Sequence, residues 1–154
     1  MKPVRLSPTD SVIPDILKLI QDSFAYMEDR IDPPSSMHRL TVEDIAAQCE
    51  TGEVWCIGQP PVACVLTKVK NDALYVGKLA VATSYRGKGL ASTLIRLAER
   101  RAKEKKLSSL ELESRIELVE NHRLFEKMGF TKTAEGRHEG YDRSTFIVMR
   151  KAIS

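Results

Sequence analysis

The stretch Leu74-Tyr75-Val76-Gly77-Lys78-Leu79-Ala80-Val81, continuing after two residues as Ser84-Tyr85-Arg86-Gly87-Lys88-Gly89-Leu90-Ala91, decides the fold of this chain. Its first half is almost continuously apolar, as a strand covered on both faces must be. Its second half is a short basic turn with two glycines. Beyond the turn, Leu90, Ala91, Leu94, Ile95, Ala98 and Ala102 recur at spacings of three, four and their multiples, which marks the buried stripe of an amphipathic helix. Arg96, Glu99, Arg100, Lys103 and Glu104 take the opposite face. Ala73 to Lys106 therefore reads as strand, glycine turn and helix.

A helix N-terminus carries unpaired N–H groups and a partial positive charge, so this order builds an anion site. Glycine at 87 and 89 lets a phosphate approach the backbone with no Cβ in the way. An ordinary strand-to-helix turn would also use glycines, for their backbone freedom alone. Arg86 and Lys88 beside them favour the anion. The P-loop pattern is absent. Gly87-Lys88-Gly89-Leu90-Ala91-Ser92 begins like a dinucleotide fingerprint but ends in Ser92, and Glu111 and Glu113 fall about 20 residues on, where a ribose-binding acid would stand. That fingerprint usually follows the first strand of its domain, whereas here some seventy residues precede it.

Arg86-Gly87-Lys88-Gly89-Leu90-Ala91 resembles the [Q/R]-x-x-G-x-[G/A] signature of the GNAT superfamily of N-acetyltransferases. Asn121-His122-Arg123-Leu124-Phe125-Glu126-Lys127-Met128-Gly129-Phe130 is similar to the same family's helix ending in Tyr-Glu-Lys-x-Gly-Phe. Two such matches in the right order, with a strand between them, are more specific than either alone. The resemblance implies a mixed, mostly antiparallel α/β sheet with helices on both faces, in which the fourth and fifth strands splay apart. Acetyl-coenzyme A would enter that gap as co-substrate, between Leu74–Val81 and Ser109–Glu113. Its pyrophosphate would sit on Arg86, Gly87, Lys88, Gly89, Leu90, Ala91 and Ser92. Its pantetheine arm would pair with Leu79, Ala80 and Val81, and Phe125 would pack beside it. Gly77 is the expected position of a bulge that starts the splay.

The flanking sequence fits such a sheet. Val4 to Leu6 reads as a first strand. A helix capped by Asp10 or Ser11 runs to about Phe24 with Ile13, Ile16, Leu17 and Ile20 buried, and Pro14 falls early enough to be tolerated. Asp29 to Ser36, with Pro33 and Pro34, cannot be regular helix. A second helix capped by Thr41 covers Val42 to Cys49 and stops at Gly52. Strands at Val54–Ile57 and Val62–Val69 precede the central one, joined by short turns that favour antiparallel hairpins. Later come a strand at Ser109–Glu113, a helix at Leu118–Lys127 ended by Gly129, and strands at Phe130–Ala134 and Thr145–Arg150.

With 154 residues and a net charge of +3, the chain is expected to be one domain, residues 1–154, with no general affinity for nucleic acid or membrane surfaces. Cys49, Cys56 and Cys64 are odd in number and lack C-x-x-C spacing, so neither a disulfide framework nor a metal site is expected. Met1-Lys2-Pro3 leads directly into a strand and no apolar run of signal or spanning length appears, which makes the cytoplasm the expected compartment. Many members of the resembled family pair as dimers, so a homodimer stays open.

The implied chemistry is transfer of an acetyl group to a primary amine, on a small molecule or a peptide, by direct attack in a ternary complex. Glu113, at the mouth end of its strand, and Glu28 are candidate bases. Where the family often has a tyrosine acid this chain has Phe125, which cannot donate a proton. Leu118 stands where an asparagine is often found, with Asn121 one turn later. Tyr141, His122 and His138 are the substitute acids to consider. Glu28, Arg30 and Asp32, in or beside the proline-bound loop, are candidates for acceptor recognition. Phe125 keeps a different class of function in view, an acyl-coenzyme-A-binding sensor without useful catalysis; a nicotinamide-dinucleotide protein is the other alternative.

Overall fold

The computed structural model describes residues 1–153, apart from the side chains at 36 and 37. Among these, strands β1 (Val4–Arg5), β2 (Glu53–Ile57), β3 (Ala63–Lys70), β4 (Ala73–Val81), β5 (Ser109–Arg115), β6 (Thr131–Gly136) and β7 (Phe146–Ala152) share one sheet in the order β1-β2-β3-β4-β5-β7-β6. The helices are α1 (Ile13–Phe24), α2 (Val42–Thr51), α3 (Leu90–Glu104) and α4 (Val119–Lys127). Of the strand pairs described, β4–β5 is parallel and the others are antiparallel. This is the mixed sheet expected, and it disposes of the dinucleotide alternative, which needs a run of parallel neighbours.

Strand periodicity splits the core in two. Ala63 and Val65 of β3 face one side, with Leu74, Val76, Leu110, Leu112, Met149 and the α3 residues Leu94, Ile95 and Ala98. Cys64 and Leu66 face the other, with Val54, Cys56 and Ala80 and the α1–α2 residues Ile16, Ile20 and Ile45. Each such fully buried aliphatic contributes on the order of 1.5–3 kcal/mol. The cysteines at 49, 56 and 64 are free and buried, and burial pushes all three thiols up.

Local signals were mostly obeyed, with some corrections. Thr41 caps α2 in a capping box with Asp44: the Thr41 hydroxyl accepts from Asp44 N–H at 3.1 Å and the Asp44 carboxylate accepts from Thr41 N–H at 3.0 Å. Neither Asp10 nor Ser11 is the N-cap of α1; that residue is Val12, and Asp10 instead accepts from the Val12 N–H at 3.2 Å. Leu19 is buried where Leu17 is only partly so, because α1 turns its stripe toward α2 and the sheet. Leu97 likewise joins the α3 stripe. Residues 25–27 and 36–39 form short 3-10 turns around the prolines. Leu118 is buried with Met27 and Ile31 in a small third core, which seats the loop after α1 against the start of α4.

Across the sheet, β2 is tied to α3 by a buried carboxylate. Glu53, with a side chain only 2 % exposed, accepts from Arg101 Nη2 at 2.6 Å and from Trp55 Nε1 at 2.9 Å, with Lys105 Nζ at 3.0 Å. Burial raises its pKa, but these donors outweigh burial and hold it at about 2.

Candidate active site

Parallel pairing of β4 with β5 runs from Ala73–Ser109 to Tyr75–Glu111 and goes no further. Beyond Tyr75, the β5-facing edge of β4 has no strand partner, so backbone N–H and C=O groups there are available to something else. The separation has a local cause. Between Leu66↔Gly77 and Cys64↔Ala80, β4 spends three residues against two of β3. Lys78 takes a φ of 50° within that bulge, with Gly77 immediately before it. A bulge bends its strand, and here it bends β4 away from β5.

The gap opens into a cleft of about 1250 Å³, more than the roughly 300–1000 Å³ that one small ligand needs. Its walls come from β4, the turn before α3, α4, the end of β5 and the loops around residues 33 and 141. At one end lies the glycine turn. Gly89 is the N-cap of α3 with φ 79°, and no side chain caps the helix. The first amides of α3, from Leu90 to Ser92, thus have no intrahelical acceptor. A Cβ at either Gly87 or Gly89 would meet no protein atom within 4 Å, so the space beside this backbone is open to a ligand. An uncapped helix start, two left-handed glycines and open space together fit a pyrophosphate.

Of the residues expected at the cofactor, Leu79, Ala80, Val81, Arg86, Gly87, Gly89, Leu90, Ala91, Ser92 and Phe125 all line the cleft. Lys88 does not; its ammonium lies over the Tyr85 ring, 5.2 Å from the centroid. Arg86 reaches back to α1, donating to the Ser23 carbonyl at 3.4 Å and lying over Tyr26 at 5.6 Å. Phe125 meets Phe130 edge-on with ring centroids 5.8 Å apart.

At the other end stand the candidates for acceptor chemistry. Glu113 lines the cleft and lies 3.7 Å from Lys70. Tyr141 lines it too, and its phenol donates to Asp32 Oδ1 at 2.6 Å; that bond, first, raises its pKa. His138 lines the cleft and is bound through Nδ1 and its N–H to Thr145 Oγ1; burial lowers its pKa.

The remaining candidates lie outside the lining. His122 Nε2 pairs with the Arg115 carbonyl at 2.9 Å. Glu28 pairs with His38 at 2.6 Å, and Arg30 with Glu120 at 2.8 Å. Asp32 is drawn between Tyr141 and Arg143 at the rim. Glu111, once a possible ribose acid, is buried against Lys70 and Arg150 at 3.2 and 3.0 Å.

Among the lining residues that the sequence does not single out are Tyr75, Lys78 and Arg115. Lys78 had a signal, a lone charge in an otherwise apolar strand. Arg115 lies in the stretch after Glu113 that was not read as strand. Its guanidinium donates to the carbonyls of Pro33 at 2.7 Å and Pro34 at 3.2 Å, and burial, first, lowers its pKa.

The fold has counterparts in known proteins. A model of the acetyltransferase (GNAT) family matches residues 13–130. The chain belongs to the GNAT acetyltransferase family. The fold of that family binds acetyl-coenzyme A, and a solved neighbour from Bacillus anthracis is in complex with it.

Among curated relatives, N-alpha-acetyltransferase 30 of Saccharomyces cerevisiae is 32 % identical over 77 residues; the match spans 47 % of this chain and 44 % of that protein. The structure of Ard1 from Thermoplasma volcanium superposes with a TM-score of 0.76 at 20 % identity, covering 99 % of this chain and 97 % of that one. The ribosomal-protein-S18-alanine N-acetyltransferase from Escherichia coli gives 0.68 at 21 % identity, covering 99 % and 94 %. Among the described residues of this GNAT chain, no helix is long and apolar enough to cross a membrane. Nor do three or more His, Cys, Asp or Glu gather there as a metal site.

Proposed function

We propose that this GNAT chain, acting over residues 1–154 as one domain, transfers the acetyl group of acetyl-coenzyme A directly to a primary amine held in the same cleft. One observation carries the reading: pairing of β4 and β5 stops at Tyr75–Glu111, and the cleft opened there joins the glycine turn to Glu113. Coenzyme phosphates at the turn and a pantetheine arm along Leu79–Val81 bring the thioester to the bulge. An amine entering from the loops at 33 and 141 meets it there.

The chemistry is a single displacement. The amine nitrogen forms a C–N bond to the thioester carbon, the C–S bond breaks, and the amine loses a proton. Unpaired N–H groups on β4 polarise the carbonyl. Glu113 takes the amine's proton directly or through water. The leaving thiol has an ordinary pKa near ~8.5, so a side-chain acid is helpful rather than indispensable at neutral pH. Tyr141 is the acid of this reading, because Phe125 stands where a phenol would otherwise be. Holding the two reactants together supplies much of the rate. The names of the yeast and Escherichia coli relatives favour an α-amine at a peptide terminus as acceptor.

The missing phenol at 125 also supports a second reading, a coenzyme-A-responsive protein without turnover. The deciding experiment measures the melting temperature with acetyl-coenzyme A, coenzyme A and NADH, then looks for acetylated amines by mass spectrometry. A ligand at 100 times its Kd stabilises the fold by about 2.7 kcal/mol. A shift with acetyl-coenzyme A together with an acetylated product is the expected result. A shift without product would leave the sensor, and a shift with NADH alone would overturn both.

A further inference from the structure

Lys78 is a partly buried lysine at the point where β4 leaves β5, and it lines the cleft. Its backbone has φ 50°, a left-handed conformation that is unfavourable for a residue with a Cβ and that concentrates at functional sites. Its ammonium has no carboxylate partner among the described residues. Glu113, the carboxylate that acts on it, lies 3.7 Å from Lys70. Burial, with Lys68 nearby, already disfavours the charge on Lys78, and Glu113 offsets only part of that.

Arg115 faces the same space, bound to two carbonyls and to no carboxylate. The other charged or titratable groups on this wall include Tyr75, Tyr141 on Asp32, Arg39, His38 and Glu139 at the exposed mouth, and His138 on Thr145. The acceptor end of the cleft thus holds two cations, Lys78 and Arg115, neither of which is in ion-pair contact with a carboxylate among the described residues; Glu113 acts on Lys78, and Glu117 and Asp32 on Arg115, from beyond that distance. A buried cation of this kind is stabilised by an anion brought with a ligand.

We propose that Lys78 anchors a carboxylate of the acceptor, so that the substrate is an amine bearing a carboxylate within a few bonds of its nitrogen. This rests on the transferase reading and narrows its substrate class. The carboxylate has two possible sources, the α-carboxylate of a free amino acid or an acidic side chain close to a peptide N-terminus. In either case Lys78 is a binding residue, and Arg115 fixes the loop carrying Pro33 over the bound group.

The test uses amine pairs that differ in one charge: alanine against alaninamide, and alanyl-aspartate amide against alanyl-asparagine amide. Each is assayed with the wild type, Lys78→Met and Lys78→Arg. The wild type is expected to prefer the charged member of one pair by at least tenfold in kcat/KM, and which pair shows it identifies the source. Lys78→Met loses the preference, Lys78→Arg keeps most of it, and affinity for acetyl-coenzyme A stays within twofold in both. A preference that survives Lys78→Met overturns the assignment, as does a large loss of acetyl-coenzyme A affinity in that variant.

Calorimetric binding of the N-acetylated forms of the same probes to coenzyme-A-loaded protein reads the charge preference without turnover. Charge-selective binding that depends on Lys78, with no acetyl transfer, would overturn the transferase reading and leave the anchor standing. No charge preference in either measurement would overturn the anchor.

Discussion

The Tyr141 phenol donates to Asp32 Oδ1 at 2.6 Å, and this bond joins the loop before β7 to the loop after α1 across the rim of the cleft. Arg143 reinforces it, 3.3 Å from Asp32 Oδ2. The two loops that would handle the acceptor are therefore coupled. Tyr141→Phe should raise KM for the amine about three- to tenfold, because the loops no longer hold each other, and should leave acetyl-coenzyme A affinity unchanged. If Tyr141 is also the acid, kcat falls in addition, and Asp32→Asn alone reproduces only the KM effect. Initial rates with both substrates varied separate these outcomes.

Gly89→Val should abolish productive coenzyme binding. The substituted Cβ would project into open space beside α3, where the phosphates would lie, and a branched side chain is strained at φ 79°. Affinity is expected to fall at least a hundredfold with a modest drop in melting temperature. Gly89→Asn, which tolerates the left-handed backbone, separates strain from obstruction. Unchanged affinity in Gly89→Val would remove the turn from the coenzyme site.

Phe125→Tyr restores a phenol to α4 beside the cleft. Turnover should rise several-fold if departure of the thiolate is limited by the missing acid. A fall in both kcat and coenzyme affinity would show that the edge-on contact with Phe130 is what position 125 serves.

Acid should loosen the tie between β2 and α3. Glu53 has a folded pKa of about 2, against an ordinary value of 4.5. Its contribution is complete above pH 4.5 and is lost as the pH falls through that interval toward 2. Glu53→Gln should therefore cost about 2 kcal/mol at pH 7. The difference from wild type should shrink steadily below pH 4.5 in urea titrations.

The architecture was legible because its signals are local and repetitive. Apolar runs gave β3 and β4, the three-four spacing gave α3, and Thr41 and Gly129 marked the ends of α2 and α4. The glycine turn was legible for the same reason, since a helix start, two glycines and a sequence motif coincide in six residues. The acceptor end was not. Asp32 and Tyr141 are 109 positions apart in the chain, and Arg115 meets the Pro33 carbonyl from 82 away. No periodicity links such residues. Arg30 and Asp32 look equivalent in sequence, yet one turns to Glu120 and the other to Tyr141 and Arg143, which only the packing of Leu118 on Met27 and Ile31 arranges. Lys78 is the intermediate case: its charge was visible in an apolar strand, but the bulge that gives it meaning is a matter of register.

The burial of Cys49, Cys56 and Cys64 has a practical consequence at the bench. A disulfide dye reacts with thiolates, and these three sulfurs are both shielded from reagent and held as thiols. In the folded protein the colour such a dye develops during an acetyl-transfer assay would belong to free coenzyme A, so the proposed turnover could be followed continuously against a quiet protein background. The same dye turns into an unfolding sensor once denaturant uncovers the core, and one cuvette can then report catalysis and the integrity of the catalyst.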